Sequence, residues 1–159
     1  MAFDRDLGSL TIMLNGKEEF LDPATDLYIE EGALNTEFCE QASKFAFYGG
    51  IHSDCYIELE SRKRALSSYE AEIELDIRQK VSENLGQSER MSEAKIEAAL
   101  KREPKWQEIS SSVLQMQAIV GKLDVWKDAF KQRSQMLFNL GATKRQEMMR
   151  LTPNTHDEE

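Results

Sequence analysis

A chain of 159 residues with 31% charged side chains, three prolines and eight glycines is one domain's worth of protein, and it can bury a core without disulfides. Its two cysteines, Cys39 and Cys55, form no CxxC pair, and the sequence shows neither a secretory leader nor an apolar run of about 18 residues. A reducing, cytoplasmic setting with no membrane partner is therefore expected, and the net charge of −9 argues against a uniformly basic, nucleic-acid-coating surface.

The first 34 residues carry apolar runs on either side of Asn15-Gly16 in "LTIMLNGKEEFL", the signal of a two-residue hairpin. "LDPATD" then reads as a turn. From Asn35 the pattern becomes helical, with Asn35 or Thr36 as cap, Phe38, Cys39, Ala42, Phe45 and Ala46 on one side, and Gly49-Gly50 as the stop. A second helix is expected from about Ser53, with an apolar stripe of Cys55, Leu59, Leu66, Tyr69, Ile73, Ile77 and Val81. Its length would be on the order of 40–45 Å. Arg62 occupies an inner-face position on that stripe.

"NLGQSERMS" breaks the pattern, Ser92 caps a short helix through Ile96 and Leu100, and Pro104 stops it. The last long helix follows a 4-3-4-3 spacing through Ile109, Val113, Met116, Val120, Leu123, Lys127, Phe130, Ser134 and Leu137. A second stripe, Leu114, Ala118, Val125, Ala129, Met136 and Leu140, runs beside it, so the helix is expected to bury two sides, as in a bundle or an oligomer interface. Trp126 belongs with core or interface. Lys127 and Ser134 either set register or mark where the seam leaves its partner. Gly141 reads as a stop, and Thr143-Lys144-Arg145-Gln146 as a capping box opening a final short helix with Met148, Met149 and Leu151 apolar. The expected fold is all-α: long antiparallel helices in an oligomerising bundle, with a small N-terminal β-hairpin. The expected organisation is an acidic segment over 1–34, a helical domain over 35–151 and a disordered acidic tail over 152–159.

Charge is unevenly placed. Residues 1–60 carry 13 acidic and 3 basic side chains, residues 61–121 carry 10 of each, and residues 122–150 carry 7 basic and 3 acidic. The helical body can thus hold a locally positive face on an acidic molecule. Arg62, Lys63 and Arg64 crowd one helical turn. Either they contact phosphates, or Arg62 pairs with an inward carboxylate while Lys63 and Arg64 pair with neighbours such as Glu60. A second group, Lys101, Arg102 and Lys105, lies beside Trp106, where an indole can stack a base or simply anchor the long helix.

Catalytic signals are lacking. There are two histidines, His52 in a Gly-flanked turn and His156 in the tail, and no HExxH, GxSxG, P-loop or GxGxxG. No catalytic residue, cofactor or metal is expected. Glu93 with Glu97, and Glu70, Glu72 and Glu74, have chelating spacing but no histidine beside them.

The layout "FLDPATDL", "ESRKRAL", "MSEAKIEAAL" and "LQMQAIVGKLDVWKDAFKQRSQMLFNLGATKRQEM", spanning roughly Phe20 to Met149, resembles the UvsY-type recombination mediators of bacteriophages. The resemblance implies a small helical protein that assembles into a ring, binds single-stranded DNA and helps load a RecA-like recombinase in a phage-infected cell, alongside a single-strand binding protein. It implies that Lys63 to Leu66 sit on the DNA-contacting helix. It places oligomerisation in the C-terminal helices, where the candidate interface residues are Val113, Met116, Val120, Leu123, Trp126, Phe130 and Leu137. Further basic residues about one turn later are a feature of the family; Ser68, Tyr69 and Glu70 stand there in this chain. Two functions are weighed: the homo-oligomeric mediator that the resemblance implies, touching DNA through Arg62, Lys63, Arg64, Lys101, Arg102 and Lys105, or an acidic helical adaptor or DNA mimic that binds a protein partner through its N-terminal segment.

Overall fold

The computed structural model describes residues 8–14, 16–85 and 92–151. Asn15, most of the "NLGQSERMS" break, the tail and His156 lie outside the described residues, as does the side chain of Val81. Strands β1 (Leu10–Leu14) and β2 (Lys17–Leu21) are followed by α1 (Pro23–Leu27), a 3₁₀ turn (Glu31–Ala33), α2 (Leu34–Leu85), α3 (Glu93–Leu100) and α4 (Pro104–Leu151). The fold is helical with a two-stranded N-terminal hairpin, as expected. The strands pair antiparallel with Leu14 opposite Lys17, and Gly16 has φ +76°, which only the connecting turn of a tight hairpin requires. The expected turn at "LDPATD" is a short helix: Asp22 caps it by accepting the Thr25 N–H at 3.4 Å, its other carboxylate oxygen accepts from Thr25 Oγ1 at 2.7 Å, and Pro23 occupies the first helical turn.

The chain forms two compact units, Met1–His52 with Leu123–Glu159, and Ser53–Lys122. In the first, α2 and α4 run antiparallel. Gln41 meets Phe130, and Tyr48 lies 6.2 Å from the Trp126 ring and 4.4 Å from that of Phe130. In the second, the pairing is again antiparallel, with Arg62 against Ser112 and Glu70 against Trp106.

Several expected boundaries do not exist. The 3₁₀ turn feeds directly into α2, so Asn35 and Thr36 are interior, and Glu37 accepts the Glu30 N–H at 3.1 Å in the capping role. Gly49-Gly50 does not stop the helix, nor does a new one start at Ser53. Tyr48 and Ile51 on either side are both buried, and that packing holds the helix through two poor helix formers. His52 is accordingly helical, its Nε2 2.9 Å from Asp124 Oδ1 without hydrogen-bond alignment. Gly141 likewise sits inside α4. A Cβ there would lie 3.0 Å from Phe38 Cζ, so this glycine admits an aromatic ring where a stop was expected. Thr143 opens no new helix; its hydroxyl donates back to Asn139 O at 3.1 Å.

The buried faces also differ from the expected stripes. In α2, Glu37, Gln41, Tyr48 and Ile51 face inward, while Phe38, Cys39, Ala42 and Ala46 are exposed. In α4, Trp126 and Arg133 occupy the buried positions expected for Lys127 and Ser134. Arg133 explains both shifts. Its Nε donates to Leu27 O at 3.2 Å and its Nη2 to Tyr28 O at 3.1 Å; its other donors go to Gln41 Oε1 and the Glu37 carboxylate. Gln41 in turn donates to Phe130 O at 2.8 Å. Polar residues of α2 face inward because a buried guanidinium awaits them.

Two predictions follow from this packing. Because nothing lies within 4 Å of a Cβ at Gly49 or Gly50, Gly49→Ala and Gly50→Ala should each stabilise by about 0.5–1 kcal/mol. A rise of roughly 2–4 °C per kcal/mol in Tm is expected; a helix ending there would give a fall. Gly141→Ala should give no such gain, since Phe38 must retreat. Glu37 is held below the usual glutamate value, first by the Glu30 N–H and also by Arg133, against the opposing effect of burial. Its stabilising contribution is therefore complete above that usual value and is lost as pH falls through the lowered one. The acid limb of a Tm-against-pH curve should flatten in Glu37→Gln, which should also be less stable at pH 7.

Candidate nucleic-acid interface

All six candidate cations lie in the second compact unit. Successive residues of a helix are about 100° apart, so Arg62, Lys63 and Arg64 fan around α2. Arg62 faces α4. Its Nε donates to Glu58 Oε1 at 2.8 Å, and its Nη1 to Ser112 Oγ at 3.1 Å and Ser112 O at 3.3 Å. It is a tie between two helices, with its charge already answered. Lys63 is exposed and donates to Glu60 Oε1 at 2.9 Å. Arg64 points away from Arg62, is exposed and has no side-chain partner among the described residues.

The second group closes the turn between α3 and α4. Lys101 donates to Glu97 Oε1 at 2.6 Å and holds that carboxyl below its usual range. Arg102 is exposed and its side chain has no partner among the described residues. The Lys105 ammonium lies 4.9 Å from the centroid of the Tyr69 ring, a cation–π contact. Beside it, half-buried Trp106 donates from Nε1 to Glu70 Oε1 at 2.9 Å. The indole thus anchors α4 on α2. The structure therefore brings Lys105 onto α2 two turns beyond the first basic cluster, but on the face opposite Arg64.

Electrostatically this is a balanced surface with two unengaged arginines. The Lys63–Glu60 and Lys101–Glu97 pairs are exposed. Such pairs contribute little, about 0–1 kcal/mol, so a phosphate can compete for either lysine. Arg62 is less available, because leaving would break its bonds to Glu58 and to Ser112 of the facing helix together.

The seven candidate interface residues are placed inside the chain itself. Val113, Met116 and Val120 are buried in the second unit, and Leu123, Trp126, Phe130 and Leu137 in the first. Apolar surface left for another molecule includes the second stripe, on which Leu114, Val125 and Met136 are each more than half exposed. Two grooves border α4 in the first unit. One, of about 440 Å³, is lined by Phe38, Phe45 and Phe138; the other, of about 720 Å³, by Tyr28, Met136 and Leu140. Sequence reasoning missed both, because they require the N-terminal segment and α2 to be seated on α4. Among the described residues no group of three or more His, Cys, Asp or Glu is placed to hold a metal ion, and no helix is long and apolar enough to cross a membrane.

Arg62→Ala should therefore cost about 1 kcal/mol of stability through the lost Ser112 contacts, whereas Arg64→Ala should stay within about 0.5 kcal/mol of the parent. Urea unfolding of the two variants separates the structural arginine from the solvent-facing one.

No protein-family model and no curated protein sequence matches the chain. Its fold is similar to that of the bacteriophage T4 recombination mediator protein UvsY, seen in a crystal structure, with a TM-score of 0.62, 14% sequence identity, and coverage of 79% of this chain and 92% of that one. At this identity the likeness is one of fold.

Proposed function

We propose that this chain is a recombination mediator of the phage type: a non-catalytic protein that binds single-stranded DNA as a ring-like homo-oligomer and helps load a RecA-like recombinase, in concert with a single-strand binding protein. The observation that carries the reading is the fold shared with a recombination mediator over 92% of that protein's length. The site chemistry supports it in a specific form. Arg64 and Arg102 are the primary phosphate contacts, Lys63, Lys101 and Lys105 join them by exchanging a weak partner, and Arg62 positions the helix that carries Arg64. Each copy offers few contacts, so useful affinity comes from several copies along one strand.

The acidic adaptor or DNA mimic remains the competing reading. It is favoured by one observation: within residues 17–31, six carboxylates stand against a single lysine.

Fluorescence anisotropy of a single-stranded oligonucleotide, titrated with salt, decides between them. The mediator binds at low salt and releases steeply as salt rises, because each neutralised phosphate frees counterions. Arg64→Glu and Arg102→Glu should each weaken binding by at least about tenfold and flatten the salt slope, with helix content unchanged. Absence of binding at the lowest salt would favour the acidic adaptor and end the mediator reading in its DNA-contacting form.

A further inference from the structure

In the first compact unit, the groove of about 720 Å³ joins an apolar floor to an acidic rim. Tyr28 and Ile29 form one side, and Met136 and Leu140 of α4 the other. Tyr28 is 70% and Met136 57% exposed, so large apolar side chains are left uncovered. The N-terminal wall is held in place, because Arg133 and Lys144 donate to the carbonyls of Leu27, Tyr28 and Glu31. Neither cation reaches the carboxylate of Glu30 or Glu31, and neither carboxylate has a partner among the described residues. Glu31 itself lines the groove.

That chemistry discriminates between occupants. A nucleic acid is repelled by the rim. Residues 152–159 carry three carboxylates and no large apolar side chain, and residues 1–7 set two aspartates against one arginine, so neither end of the chain complements the groove. An extended peptide that adds as a strand needs open main-chain groups. Here the carbonyls of Leu27, Tyr28 and Glu31 are taken by side chains, that of Glu30 by the Ala33 N–H at 3.0 Å, and the Glu30 N–H is given to Glu37. A helix brings its own backbone bonds already made. Met136 and Leu140 lie one turn apart on α4, about 6 Å along the axis, the interval at which another helix presents side chains at i and i+4.

We propose that this groove docks a basic amphipathic helix of a different protein. Two of its apolar side chains, one turn apart, sit between Ile29 and the Met136–Leu140 pair, and lysine or arginine side chains on its flank face Glu30 and Glu31. The apolar floor supplies the hold, and the two carboxylates steer the approach and fix the orientation. The inference rests on neither reading of the function. A mediator and an acidic adaptor both need a protein partner, and the groove states where that partner binds and what it must carry.

Fluorescence anisotropy tests it with a labelled, alanine-based helical peptide of about 15 residues, bearing two leucines one turn apart with lysines beside them. The full chain is titrated to about 100 μM, enough to saturate a micromolar contact. Saturable binding that weakens with salt without vanishing is the expected result. Met136→Asp should weaken it at least about tenfold. That variant makes the chain more acidic, so mere attraction of a cationic peptide to a net charge of −9 predicts the opposite. Glu30→Lys combined with Glu31→Lys should cost at least about fivefold and flatten the salt dependence. Glu72→Lys, exposed in the second unit, should stay within about twofold. Circular dichroism checks that each variant keeps its helix content. A peptide with serines in place of the leucines should bind at least about tenfold more weakly. No binding at the highest concentration, undiminished binding to Met136→Asp, or equal binding of the serine peptide would each overturn the proposal. So would a groove already filled: peptide binding that appears only once residues 1–7 are removed, or sedimentation velocity in which Met136→Asp breaks an assembly that excludes the peptide. Oligonucleotide anisotropy on the parent keeps the two questions apart. Peptide binding without strand binding counts against the mediator and leaves the groove standing; strand binding without peptide binding does the reverse.

Discussion

The buried Arg133 guanidinium is the constraint on which the first compact unit depends. A charge taken out of water must have its donors answered, and here they are answered by two carbonyls of the N-terminal segment, a glutamine and a carboxylate. The consequence reaches three elements at once. The segment after α1 is fixed on α4, the inner face of α2 has to be polar at Glu37 and Gln41, and the aromatic residues beside them are turned outward. Glu37 closes the circuit by accepting the Glu30 N–H. Removing any one partner strands the others, which is why such networks are costly to break even when they add little net stability. The groove wall formed by Leu27, Tyr28 and Ile29 is held on α4 by this network.

How much of this was legible in the sequence depends on which physical rule each residue obeys. The hairpin was legible because a two-residue turn between apolar runs has few alternatives, and the observed register, Leu14 opposite Lys17, is the one it dictates. Helix content was legible from composition. Helix ends were not. Glycine as a stop is a statement about local propensity, worth about 1 kcal/mol, and burial of Tyr48 and Ile51 outweighs it at Gly49-Gly50. At Gly141 the glycine answers a demand from another helix, which no local pattern can announce.

The α4 seam shows a subtler failure. A strict 4-3 alternation assigns seam positions by count alone, and it sets Lys127 and Ser134 in the apolar line as interruptions. In the structure the line passes through Trp126 and Arg133 instead, and the interruption becomes the hub. A buried arginine is improbable on composition alone, so its role was visible only once its acceptors were in place. The basic cluster was legible as a cluster but not as a set of roles. Ser112 claims Arg62, and a seryl carbonyl fifty residues away leaves no trace in the local pattern.

The charge segregation along the chain gains a physical meaning from these contacts. An acidic N-terminal third and a basic C-terminal helix would be expected to neutralise each other within one molecule. Where they meet, main-chain carbonyls take the cations, and Glu30, Glu31, Arg145 and Arg150 keep their charges unanswered among the described residues. Burying a main-chain acceptor without a donor costs more than leaving a charged side chain in water, so the carbonyls have the stronger claim on the cations. The chain as a whole keeps a net charge of −9, which repels a polyanion at long range. Any phosphate contact made through Arg64 and Arg102 therefore has to act at short range, where a local charge outweighs the screened field of distant carboxylates.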